Sequence, residues 1–308
     1  MFEPTLNYVS CPEPWAVAPA QEGSSQPAPP QHRMAYWEWN ATGDPHCPHV
    51  VVCVHGLSRQ GRDFDELARA LLERSEQPLR VICPDVVGRG KSDWLKDPMA
   101  YQIPHYAADM LALLAQLQPT TLDWVGTSMG GLIGMVLAGQ PGLPVRRLAL
   151  NDVGPKVQWQ AIQRIGQFLG KTGHFRSVQE AADALWAGST TFGPHTPQQW
   201  LALSQHMVRP VPDGFTLHYD PAIATPFAAL TPEDAARGDA LLWQLYDQIT
   251  AQTLVTRGAL SDLLDVQTAQ AMTQRGPKAR VVEFAGVGHA PTLVAQDQVD
   301  AVTSFLLA

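Results

Sequence analysis

Ser128 stands in the stretch "DWVGTSMGG", Asp123 to Gly131, with Gly126 and Gly130 on either side in a G-x-S-x-G pattern. A serine hydroxyl attacks a carbonyl only when a base takes its proton, so the chain must also supply a histidine. Of the ten histidines, His289 is the best placed, in "GVGHAP", a glycine-rich loop directly after the last predicted strand. Loops at the carboxyl edge of a parallel sheet carry ligand-facing residues. The plainer readings are an incidental serine in a soft turn and a polar loop histidine. Both are weighed down by the order serine, acid, histidine along the chain, which is that of a triad built on such a sheet.

A triad histidine needs a carboxylate to fix its tautomer and to stabilise its charged form. Two aspartates follow strand ends. Asp262 lies in "RGALSDLL" after the run "TLVTRG", and Asp152 lies in "LALNDVGP", one strand after the serine. Asp262 is preferred, because "SDLL" reads as a short loop turning into a helix, and Asp152 is taken to organise the exit into the segment that follows. The oxyanion needs two donors. The amide of Met129, directly after the serine, is one, and Leu57 in "VCVHGLSRQG" offers the second. His55 in the same loop is read as a turn-stabilising residue and not as the base.

These residues need a scaffold, and the hydrophobic pattern supplies one. "HVVVCVH", "LRVICP", "LDWVG" and "RRLALND" are short β-branched runs. "FDELARALLER", "HYAADMLALLAQL" and "MGGLIGMVLAG" alternate with them at helical periodicity. That order predicts an α/β fold, a mostly parallel central sheet with helices on both faces. Ser128 falls where a strand ends and a very apolar helix begins, which is the context that makes G-x-S-x-G informative. The alternation breaks between about residues 154 and 237, where a helical cap is expected. It resumes with "TLVTRG", "VQTAQAMTQR", "ARVVEFA" and "QDQVDAVTSFLL". Residues 1–33, rich in Pro, Ser, Gln and Ala, read as a flexible or loosely docked arm. The two core parts then span 34–153 and 238–308.

The net charge of −8 and the lack of a Lys/Arg run argue against a nucleic-acid partner. The N-terminus shows no basic and apolar leader pattern, and the longest apolar run is about half a membrane span, so a cytoplasmic protein without a membrane partner is expected. Cys11, Cys47, Cys53 and Cys83 have no C-x-x-C spacing and are read as thiols without disulfides. "PHCPH" places His46, Cys47 and His49 together but offers no partner cluster, so it is read as a solvated turn; no metal or cofactor is expected. Arg59 could meet a substrate carboxylate, although a solvated arginine is the preferred reading. The aromatic residues of the insertion are better assigned to its own small core than to a substrate pocket.

Together "HGLSRQGRDFDELA", "CPDVVGRGKSDW", "VGTSMGGLIGMVLA", "RGALSDLL" and "GVGHAPTL" resemble the ordered signature blocks of the α/β-hydrolase fold superfamily, in its bacterial carboxylesterase, lactonase and C–C hydrolase branch. The resemblance runs from about residue 34 to the C-terminus. It implies a Ser128–Asp262–His289 triad, an oxyanion hole from Leu57 and Met129, and a structural role for Asp85 to Asp93. Thr127 stands where ring-cleaving C–C hydrolases often carry asparagine. A serine at the nucleophile position departs from the aspartate of haloalkane dehalogenases and epoxide hydrolases. A small-molecule carboxylic ester is the expected substrate, with a lactone or a C–C bond beside a carbonyl as the alternative. A non-catalytic binding protein of the same fold is the third reading.

Overall fold

The β-branched runs set the frame of the molecule. The computed structural model describes residues 2–13 and 31–308. Its strands are β1 (Thr5–Pro12), β2 (Gln31–Asn40), β3 (His49–Val54), β4 (Arg80–Pro84), β5 (Thr121–Thr127), β6 (Val145–Asn151), β7 (Val208–Val211), β8 (Gly214–Leu217), β9 (Gln252–Gly258) and β10 (Arg280–Phe284). Eight of them form one sheet in the order β1-β2-β4-β3-β5-β6-β9-β10, and β7 and β8 pair separately. Pairing is parallel from β4 to β10, and antiparallel where β1 meets β2 and β2 meets β4.

β3 shows why this sheet is covered on both faces. Alternate residues of a strand point to opposite sides. Val50, Val52 and Val54 enter one hydrophobic cluster and Val51 and Cys53 enter another. The helices are α1 (Asp65–Arg74), α2 (Ile103–Leu117), α3 (Met129–Ala138), α4 (Trp159–Gly166), α5 (Val178–Gly188), α6 (Pro197–Gln205), α7 (Ala224–Ala228), α8 (Pro232–Gln248), α9 (Val266–Met272) and α10 (Gln296–Leu307). α1 packs with α10 over one face, and α3 packs between α2 and α8 over the other. Enclosure by neighbours on several sides explains why α3 is apolar nearly all round.

Two boundaries differ from expectation. Thr5–Pro12 is an edge strand in register with β2, with Cys11 opposite His32, and is no loose arm. Val9 and Cys11 on its inner face are buried, a short signal diluted by the composition of the whole segment. The stretch "APAQEGSSQPAPPQ" lies outside the described residues apart from its last residue. In the insertion, "VPDGF" makes the β7–β8 hairpin with Asp213 at φ 64°, where only helix and irregular chain are expected. α8 starts at a capping box between Thr231 and Asp234 and runs on to Gln248, so residue 237 lies inside a helix and not at a boundary.

Candidate active site

Ser128 sits between β5 and α3 with φ 51° and ψ −114°, a conformation L-residues rarely take. The surrounding structure must hold it there at a cost of about 1–3 kcal/mol. Backbone proximity explains the flanking glycines. A Cβ on Gly126 would lie 2.3 Å from the Gly130 carbonyl oxygen, and one on Gly130 would lie 2.0 Å from the Val54 oxygen. The turn can therefore be this tight only without side chains at those positions.

The hydroxyl of Ser128 lies 3.0 Å from Nε2 of His289, and Nδ1 of His289 lies 2.7 Å from Oδ2 of Asp152. An ionised carboxylate only accepts, so Nδ1–H donates to Asp152 and Nε2 is left to accept from the serine. Asp152 is fully buried at the end of β6, with φ 57°. Its Oδ1 accepts from the Gly258 amide at 2.8 Å, and its Oδ2 also accepts from the Ser261 hydroxyl at 2.7 Å. These donors satisfy a charge that burial would otherwise penalise. Strands β5, β6 and β10 thus deliver serine, acid and histidine to one edge of the sheet.

The acid corrects the sequence expectation. Asp262 does not meet His289. Its carboxylate is 47% exposed and takes two hydrogen bonds from Arg164 of α4, at 2.6 and 2.8 Å. The loop after β9 does reach the site, but it contributes the neighbouring residue, Ser261. Asn151 is a further site residue the sequence reading missed. Its amide nitrogen donates to Thr127 Oγ1 at 3.0 Å and to the Pro291 carbonyl at 2.8 Å, while its oxygen accepts from Thr256. It ties the serine turn to the histidine loop, and its only sequence signal was its place at the strand end beside Asp152.

The loop after β3 lies against the serine: a Cβ on Gly56 would be 3.8 Å from Ser128 Cβ. Met129 opens α3, where first-turn amides have no partner within the helix. His55 is buried, hydrogen-bonded from Nδ1 to the Gly56 carbonyl, and its Nε2 accepts from the Val86 amide. Burial pushes its pKa down to about 3, so it is a neutral brace for the turn. Asp85 accepts the Gly61 and Lys91 amides, and burial pushes its carboxyl up to about 6.

Arg89, in the same block as Asp85, is completely buried and has no carboxylate partner among the described residues. Its Nε donates to the Leu57 carbonyl at 2.8 Å, its Nη1 to Val87 O and to Tyr106 Oη, and its Nη2 lies 3.6 Å from Met129 Sδ. The Tyr106 ring lies 4.9 Å from the guanidinium carbon. One side chain therefore touches both Leu57 and Met129.

A cleft beside the serine is lined by Arg59, Thr127, Phe192, Leu203, Pro291 and Thr292, among others. Arg59 is neither solvated nor free: its guanidinium is clamped on Asp63 at 2.6 and 2.7 Å and reaches the Leu203 carbonyl. Trp186 and Trp200, ring centroids 5.0 Å apart, belong to the small core of the insertion, with Phe192 packed against it. His46 lies exposed in the turn before β3, whereas His49 opens β3 and bonds to Asp123 at 2.8 Å. No helix among the described residues is long and apolar enough to cross a membrane.

Residues 51–302 match the model of the "Alpha/beta hydrolase family". A 3-hydroxybutyrate-oligomer hydrolase of Cupriavidus necator is 46% identical over 306 residues, which cover 98% of this chain and 97% of that one. Among solved structures, a putative hydrolase from Rickettsia typhi superposes with a TM-score of 0.81 at 28% identity, over 98% of both chains. An alpha/beta hydrolase from Novosphingobium aromaticivorans gives 0.80 at 32% identity, over 99% of both.

Proposed function

The chain belongs to the alpha/beta hydrolase family, and within it we propose a serine hydrolase that cleaves the ester bonds of short 3-hydroxybutyrate oligomers through an acyl-enzyme. The observation that carries the ester chemistry is the continuous chain of hydrogen bonds from Ser128 through His289 to Asp152. The similarity to the Cupriavidus necator hydrolase, which extends over nearly the full length of both chains, supports the substrate class.

In this mechanism Ser128 Oγ attacks the ester carbonyl as His289 Nε2 takes its proton. The amides of Leu57 and Met129 hold the oxyanion that forms, and the α3 N-terminus adds a favourable dipole. His289 returns the proton to the departing hydroxyl of the shortened oligomer. Water, deprotonated by the same nitrogen, then attacks the acyl-enzyme and releases the acid with Ser128 restored. Asp152 keeps Nδ1 protonated throughout and stabilises the imidazolium between the two proton transfers.

The test compares kcat/KM on linear 3-hydroxybutyrate dimer and trimer, 4-nitrophenyl butyrate, lactones and vinylogous diketones. The linear oligomers should be the best substrates, and Ser128→Ala should lower their turnover by about 10⁶-fold. Faster turnover of a lactone or a diketone would overturn the substrate assignment. Near-normal oligomer cleavage by Ser128→Ala would overturn the mechanism.

A further inference from the structure

Far from Ser128 in the sheet order, the N-terminal hairpin and α2 bring three buried side chains of metal-ligand type together, with the partly buried His105 beside them. Cys11 and His32 are directly opposed across β1 and β2. Opposed residues share a face, with Cβ atoms about 4.5–5.5 Å apart. His105 and Asp109 are four residues apart on α2, one turn of the same helix face. Ligating atoms of Cys11, His32 and Asp109 all lie within 4.8 Å of one another. His32 Nε2 is 3.0 Å from Asp109 Oδ2, and His105 Nε2 is 3.7 Å from the same oxygen. The His32 and His105 ring centroids are 5.2 Å apart.

A buried Asp–His pair alone does not account for this cluster. Asp109 is fully buried and His32 is 3% exposed, yet Asp109 Oδ1, His32 Nδ1 and His105 Nε2 have no hydrogen-bond partner among the described residues. Each unsatisfied buried polar group costs about 1–3 kcal/mol, which is a large toll for a hairpin strand held at the sheet edge. A divalent ion would use lone pairs on Asp109 and His105 that the pair leaves idle. The donor set of one sulfur, two ring nitrogens and one carboxylate suits tetrahedral zinc. A thiolate and a carboxylate would also balance the two positive charges, which a buried site requires.

We infer that Cys11, His32, His105 and Asp109 form a structural zinc site that fastens the β1–β2 hairpin to α2. On binding, the Cys11 thiol forms a sulfur–metal bond and releases its proton to solvent, with no change of oxidation state. All four positions are taken by protein, so the site is closed and does no chemistry of its own.

The full chain, carrying His289→Ala so that the catalytic imidazole cannot take metal, is stripped with a chelator and titrated with Zn²⁺ alone and Co²⁺ alone. One equivalent of zinc should bind and raise Tm, and cobalt should give a near-ultraviolet thiolate-to-metal band. Cys11→Ser should remove that band. Cys11→Ser and His105→Gln, each in the same background, should weaken zinc binding by at least about tenfold. A titration without the band, without a Tm rise at one equivalent, or with the same zinc affinity in Cys11→Ser overturns the site. The first two readouts use the four ligands intact, so a variant that fails to fold does not obscure the answer.

Discussion

Asp152 and Asp262 both follow strand ends, lie 110 positions apart and differ in what surrounds them. The first accepts from His289, Ser261 and the Gly258 amide; the second is half exposed on Arg164. Asp152→Asn turns one acceptor into a donor and presents the wrong partner to Nδ1–H, so kcat on the oligomer should fall by about 10⁴-fold with the fold retained. Asp262→Asn removes an exposed pair worth about 0–1 kcal/mol and should leave kcat within about twofold. Steady-state kinetics on the two purified variants check the ranking, and equal losses would contradict it. The Ser128–His289 contact was legible because strand, turn and helix periodicity placed both residues at one sheet edge. The carboxylate that meets His289 was not, because two loops reach the same sheet edge. The difference between them lies in a positive φ at Asp152 and an outward-facing carboxylate at Asp262, and neither leaves a mark in the sequence.

The elements were legible where periodicity ran long. β3 and α3 declare themselves by continuous apolar runs, whereas β1, although longer than β3, buries only Val9 and Cys11, and the β7–β8 strands are four residues each; both lie in Pro-containing sequence. The block from Asp85 to Asp93 was legible as structure only, and its Arg89 shows what such a reading omits. The guanidinium fixes the peptide just after the Leu57 amide and packs on Met129, the two residues assigned to the oxyanion. Arg89→Met should shift these donors without emptying the substrate cleft. Losing one donor outright costs about 10²–10³ in kcat, so a displaced pair should cost about 10–100-fold, with KM changed far less. Arg89→Lys should not restore the rate, because an ammonium cannot span Leu57 O, Val87 O and Tyr106 Oη in one plane. Rate and melting temperature measured together separate this from simple destabilisation: a fall in Tm with kcat unchanged would refute the positioning role.

Across the whole molecule, buried histidines link folding to acidity. His55 titrates near 3 in the folded chain against 6.5 when unfolded, because burial disfavours its charged form. His218 is pushed down to about 4 by burial and by Lys91 and Arg209, and burial lowers His195 and His206 as well. Below pH 6.5 the unfolded chain takes up protons that the native chain refuses. Stability is therefore complete above that value and declines as pH falls toward 3. Asp85 works the other way, since its folded value near 6 exceeds 3.8 and the native state binds that proton first as pH drops. Burial raises Asp63 and Asp239 as well, but the four histidines outnumber these three carboxyls, so the net slope is a loss on acidification. Urea unfolding at pH 7, 6, 5 and 4.5, with chelator present to keep metal release out of the slope, should show a fall of about 1.4 kcal/mol per pH unit for each net proton. His55→Gln can keep a donor toward Gly56 O and an acceptor for the Val86 amide without titrating, and it should flatten the slope by about one proton. A stability that holds level from pH 7 to 4.5, or a slope that His55→Gln leaves untouched, would mean that the buried histidines do not set the acid limit of this fold.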